Sequence, residues 1–180
     1  MNRLEKINSI RQSLAANQPS VGSWMQIPHA SVAEIMGQAG YDWVAVDMEH
    51  GTISVHQLPD LFRALELGDT LPLVRLAHGN PKDCKQALDA GAGGVIVPMV
   101  ESASQLITVR DACRWPPSGT RGVGFSRANL FGNQRRRNAQ EKVRTNTHPR
   151  APPTRLFRLL GLFSGTSIQK KRGWSSKNIN

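Results

Sequence analysis

Cysteine is nearly absent from this chain: Cys84 and Cys113 are the only two in 180 residues. Two thiols cannot frame a disulfide-stapled fold or a metal knuckle. Both fall on predicted helices, so they read as core thiols in a reducing cytoplasm. Long apolar runs are also missing, and a bilayer-spanning helix needs roughly 20 such residues. The first fourteen residues carry a mixed-charge helical pattern and lack the profile of a signal peptide; the expected location is the cytoplasm. Acidic residues are missing from the last quarter. Residues 133–180 hold 12 Lys and Arg against one acid, Glu141, whereas residues 1–132 hold 11 against 12. The formal net charge of +10 therefore belongs wholly to the tail. No internal repeat is present. At this length the chain fits one domain with a real core.

What is there is an alternation of strand and helix patterns. Leu4, Ile7, Ile10 and Leu14 follow a helical period, which predicts an opening helix. Residues 21–27 read as a first strand. Ser31 and Glu34 have capping-box spacing, with Val32, Ile35 and Met36 facing inward and Gly40 ending the helix. A second strand is expected over residues 43–48. Leu58, Leu61, Phe62 and Leu65 mark the next helix, which ends near Gly68. Residues 71–76 form a third strand. Asn80 and Pro81 open another helix as cap and first position, and Gly91 closes it. Residues 94–100 form a fourth, strongly apolar strand. Ser102 and Gln105 again have capping-box spacing, and Leu106, Val109 and Cys113 give that helix a buried side. Residues 115–124 are a glycine- and proline-rich loop. Four strand–helix units in succession imply a parallel α/β sheet with crossover helices. They are too few to close an eight-stranded barrel, which takes roughly 200 or more residues.

The stretch Tyr41-Asp-Trp-Val-Ala-Val-Asp-Met-Glu-His-Gly51 carries the chemistry. Its apolar run is that of a strand covered on both faces, and it ends in Asp47, Glu49 and His50. Parallel α/β folds place their reactive groups at the C-terminal edge of the strands. A His three residues after an Asp at such an edge is a candidate base with a carboxylate to orient it. The alternative is a capping Asp and a solvated His. His29, His56, His78 and His148 lack partners at ligand spacing and read as solvated or capping residues.

Eight local signatures then line up in order. They are Gly22-Ser-Trp24, Ala33-Glu-Ile35, Ala39-Gly-Tyr-Asp-Trp43, Asp47-Met-Glu-His-Gly51, Val74-Arg75, Leu88-Asp-Ala-Gly-Ala92, Val95-Ile-Val-Pro-Met-Val100 and Pro116-Pro-Ser-Gly-Thr-Arg-Gly-Val-Gly124. Together they resemble the HpcH/HpaI family of metal-dependent class II aldolases, over about residues 1–132. The resemblance implies a TIM-type (β/α)8 barrel, of which this chain holds the first half, about four βα units, followed by an irregular basic tail. It implies a carbon–carbon lyase that cleaves a 4-hydroxy-2-oxo acid to pyruvate and an aldehyde. It also implies a homo-oligomer when the barrel is complete, with no membrane partner. By motif, His50 is the acid/base residue, Asp47 its orienting carboxylate, and Arg75 the partner of the oxo or enolate oxygen. Trp24, Arg121, Gly122 and Gly124 are substrate-side residues at the barrel mouth, and Asp89 is a secondary one. The plainer alternative for Arg75 is a surface ion pair, for Trp24 core packing, for Asp89 a helix-end residue, and for Arg121 and the glycines a plain turn.

The same resemblance implies a divalent cation, Mg²⁺ or Mn²⁺, held by a Glu on the fifth strand and an Asp near the sixth. No Asp follows Asp111, and Glu141 is the one acid in the tail, so no metal ligand is identifiable. Residues 133–180, with Arg135, Arg136 and Arg137 in a row, are expected to be disordered or out of frame, the reading frame being interrupted near Gly132. Two alternatives stand beside this: an inactive aldolase-like subunit completed by a partner chain, and a basic tail that binds anions or nucleic acid. The second has charge in its favour but no recognised nucleic-acid motif, so nucleic-acid binding beyond non-specific charge is not expected.

Overall fold

The computed structural model describes residues 2–132, and the expectations for the basic tail lie outside them. The order of elements is α1 (Arg3–Ala15), β1 (Gly22–Met25), α2 (Ala30–Gln38), β2 (Trp43–Asp47), α3 (Leu58–Leu67), β3 (Leu71–Arg75), α4 (Pro81–Ala90), β4 (Gly94–Ile96), α5 (Ala103–Cys113) and a final 3-10 turn (Arg127–Gly132). The four strands pair in parallel in the order β1-β2-β3-β4. This is the strand–helix alternation expected from the sequence, four βα units of a TIM-like barrel. Every residue of β2 is buried, because the strand is central and its two faces look onto helices and onto the sheet's inner side.

Local chemistry sets most helix boundaries. Asn80 accepts from the Asp83 backbone N–H at 2.9 Å, and Gly91 ends α4 at φ +109, a left-handed conformation that costs glycine little. Ser102 and Gln105 form the expected capping box at α5. The box expected at Ser31 and Glu34 does not form. The helix begins two residues earlier, so His29 is the cap, its Nδ1 accepting from the Ser31 N–H at 3.2 Å. Ile35, expected inside, is 71% exposed. The helix buries its Ala33 and Gly37 stripe instead, since small residues let α2 lie close to α3. Strand β4 is also shorter than expected. Its partner β3 ends at Arg75 opposite Ile96, Pro98 has no N–H to donate, and Met99 turns to φ +51.

The core is the α2–α3 and α3–sheet interior, with Met25, Val44, Val46, Phe62, Leu65 and Val74 fully covered. Thr70 Oγ1 lies 2.8 Å from Gly37 O and 3.0 Å from Tyr41 O, tying the end of α2 to the start of β3. A Cβ at Gly37 would sit 2.9 Å from the Leu65 carbonyl oxygen. Gly37→Ala is therefore expected to cost about 1–3 kcal/mol by overpacking, read as a lower urea midpoint at unchanged slope.

Candidate active site

The register of the sheet brings the site together. Asp47 ends β2 and pairs with Arg75 at the end of β3, so their side chains leave the same edge. Arg75 Nε donates to Asp47 Oδ1 at 2.9 Å, and an Nη donates to Oδ2 at 2.5 Å. This is a two-point guanidinium–carboxylate fork. Asp47 Oδ2 also accepts from Gln26 Nε2 at 2.9 Å, one residue past β1. Its Oδ1 accepts from the backbone N–H groups of Glu49 and His50 at 3.0 and 3.2 Å. Asp47 is fully buried. Burial alone would raise its pKa, but Arg75, Gln26 and the two backbone donors outweigh it and hold the carboxyl far below the usual carboxylate range. The same fork raises the pKa of Arg75.

Arg75 is held from two further sides. Glu49 Oε2 lies 3.3 Å from its Nε, and its guanidinium carbon lies 4.6 Å from the centroid of the Trp24 ring. Trp24 on β1 is 38% exposed, so it forms a wall of the edge and is not core packing. The Arg75 side chain keeps 21% of its exposure, and among the described residues one Nη nitrogen has no hydrogen-bond partner. The His50 ring is 65% exposed, with Nε2 3.7 Å from Glu49 Oε2. Asp47 thus meets His50 through the backbone N–H, and the His50 ring faces Glu49. Arg75 has taken both Asp47 oxygens, and Glu49 stands between the Arg75 and His50 side chains.

Asp89, Arg121, Gly122 and Gly124 are not part of this cluster. Helix α4 leaves the edge that carries Arg75 and delivers Asp89 to the opposite edge, where β4 begins. There Arg121 Nη2 donates to Asp89 Oδ1 at 2.7 Å. The Arg121 guanidinium lies over the Trp115 ring, 4.9 Å from its centroid. Gly122 and Gly124 follow in an exposed loop where an added Cβ would meet nothing within 4 Å. Within this chain these four residues lie apart from the Arg75 cluster. Gln26 went unnoticed in the sequence, and Glu49 was seen but given no role. Their signal is position: each lies within two residues of a strand's C-terminal end, on the same edge as Asp47.

Among the described residues no group of three or more His, Cys, Asp and Glu side chains is placed to hold a metal ion. Asp47 has no oxygen to spare, and Glu49 Oε2 already faces Arg75 Nε. A hard divalent cation takes about six oxygen ligands, so these residues do not fit it by themselves.

Four parallel βα units with a clamped arginine at their C-terminal edge define a TIM-barrel-like α/β fold with a charged strand-edge site. The HpcH/HpaI aldolase/citrate lyase family model matches residues 20–152, and the chain belongs to that family. The match runs beyond Gly132, where the signatures read from the sequence stop. A hydroxypyruvate/pyruvate aldolase of Roseobacter denitrificans is 41% identical over 128 residues, 70% of this chain and 50% of that one. A 4-hydroxy-2-oxo-heptane-1,7-dioate aldolase of Salmonella dublin is 34% identical over 121 residues, 67% of this chain and 46% of that one. The crystal structure of an HpcH/HpaI aldolase/citrate lyase family protein from Burkholderia cenocepacia superposes with a TM-score of 0.64 at 33% identity, covering 71% of this chain and 53% of that one. The chain spans about half the length of the curated relatives it matches. No helix among the described residues is long and apolar enough to cross a membrane.

Proposed function

We propose that the β2–β3 edge is the pyruvate-side half of an aldolase site, acting on 4-hydroxy-2-oxo acids. The observation that carries this is the Arg75 clamp: a permanent cation, fixed by Asp47, Glu49 and Trp24, with an N–H still to give at an open strand edge. In retro-aldol cleavage the bond between C3 and C4 breaks and its electrons flow to the 2-oxo oxygen as an enolate. A preorganised guanidinium aimed at that oxygen lowers the barrier. His50 takes the proton of the 4-hydroxyl, the aldehyde departs, and the proton returns to C3 of the enolate to give pyruvate. The exposed ring of His50 reaches bulk solvent and Glu49 alike, so it can exchange its proton between turnovers.

Asp47, Glu49 and Arg75 together carry a formal charge of −1. Further positive charge beside them would tighten the hold on an anionic substrate. In the family that charge is a divalent cation, and among the described residues no group is placed to hold one. This chain is accordingly expected to turn over slowly. Pyruvate release from a 4-hydroxy-2-oxo acid by the full chain should be saturable and above the buffer rate. His50→Ala should lower that catalysed rate by about 10²–10⁴-fold without moving the unfolding midpoint. Release indistinguishable from buffer in the wild type would overturn the reading.

A further inference from the structure

Three strand ends meet in one row of the sheet. Met25, the last residue of β1, pairs with Val46, and Asp47 pairs with Arg75. Gln26, the next residue after β1, therefore flanks Asp47 on the side opposite Arg75. It lies on the same side of its strand as Trp24, two residues earlier. Asp47 Oδ2 accepts from Gln26 Nε2 at 2.9 Å and from an Arg75 Nη at 2.5 Å. The amide and the guanidinium are thus neighbours across a single oxygen.

The Gln26 amide has one possible orientation. Asp47, forked by Arg75 and met by donors on every side, is an ionised carboxylate at neutral pH, and an ionised carboxylate only accepts. The Gln26 NH₂ must face it, so the amide oxygen faces away. Gln26 is exposed, and its Oε1 has no hydrogen-bond partner among the described residues. The edge therefore offers an unspent donor on Arg75 and an unspent neutral acceptor beside it. Glu49 is a second acceptor nearby, but its Oε2 faces Arg75 and His50, and its charge repels an anionic ligand where an amide does not.

We infer that Gln26 is the specificity-determining residue with which this site selects a hydroxyl beside the 2-oxo group. Its amide oxygen accepts from the hydroxyl of a 3-hydroxy-2-oxo acid while Arg75 donates to the 2-oxo oxygen. The inference rests on the proposal that Arg75 holds a 2-oxo acid, and adds the substituent that this acid carries. A ligand without the hydroxyl leaves Oε1 to water and forgoes one hydrogen bond. A methyl group in the hydroxyl's place does worse, because it displaces that water and returns nothing to the acceptor.

The test titrates the full chain with pyruvate, with 3-hydroxypyruvate, and with 2-oxobutyrate, in which a methyl stands where the hydroxyl was. The Arg75 side-chain ¹⁵N–¹H resonance reports binding of each. 3-Hydroxypyruvate should bind about three- to tenfold more tightly than pyruvate, and 2-oxobutyrate more weakly than pyruvate. Gln26→Met keeps the length of the side chain and removes the acceptor. In that variant pyruvate and 3-hydroxypyruvate should bind alike, and 2-oxobutyrate should gain on both. Gln26 is exposed, so the variant is expected to fold, and the wild-type ranking tests the inference by itself. Equal binding of pyruvate and 3-hydroxypyruvate by the wild type, or a preference that outlives Gln26→Met, would overturn the inference while leaving Arg75 as the partner of the 2-oxo acid. Binding of none of the three would overturn that underlying proposal, and the inference with it.

Discussion

Asp47→Asn is expected to lower stability by about 3–5 kcal/mol, the scale of removing one partner from a buried ion pair. The substitution keeps the shape of the side chain and still fails, for a geometric reason. One Asp47 oxygen accepts from Arg75 Nε and the N–H groups of Glu49 and His50; the other accepts from an Arg75 Nη and from Gln26. Every neighbour is a donor, so the amide NH₂ of Asn points at donors in either orientation. Because the folded-state pKa of Asp47 is depressed, its contribution is fully present above the unfolded carboxylate pKa, roughly 4. It is lost as pH falls through the folded value. Urea unfolding at pH 7 should show the full gap between wild type and variant. The gap should narrow progressively below about pH 4, and a gap independent of pH would argue against the fork.

Arg75→Lys is expected to reduce kcat/KM for pyruvate release by about 10²–10³-fold, the cost of losing a donor at a developing oxyanion. A lysine keeps the charge but not the geometry. It cannot meet both Asp47 oxygens, and it lies less well on Trp24 than a planar guanidinium. Arg75→Ala should be no worse than about tenfold below the lysine variant, since charge without orientation recovers little. A lysine variant within a few-fold of wild type would mean that Arg75 acts as a simple point charge.

The strand–helix frame was legible because its signals are local. Asn80, Gly91 and the Ser102/Gln105 pair set helix ends through bonds spanning a few residues, and the apolar run ending at Asp47 marked the central strand. Misreadings arose where a neighbouring element decides. Ile35 fits the helical period as well as Met36 does, but the close approach of α3 selects Ala33 and Gly37 for burial. Val100 is apolar enough for a strand, yet β3 has already ended. At the candidate site, strand-end motifs single out Trp24, Asp47 and Arg75, and the sheet register brings them together. The choice between His50 and Arg75 as the partner of Asp47 depends on side-chain reach across two strands, which sequence spacing does not encode. A motif does not say which end of a helix faces the mouth; tracing α4 from β3 to β4 puts Asp89 and Arg121 away from Arg75.

The central claim is that Arg75, clamped by Asp47 and Glu49, is where this chain holds a 2-oxo acid. The arginine side-chain ¹⁵N–¹H spectrum of the full protein, titrated with pyruvate, tests it most directly. The account predicts a saturable shift at the Arg75 guanidinium, with resonances of Arg121 and the other arginines unmoved. No shift at Arg75, or a salt-sensitive drift shared by all arginines, would contradict it.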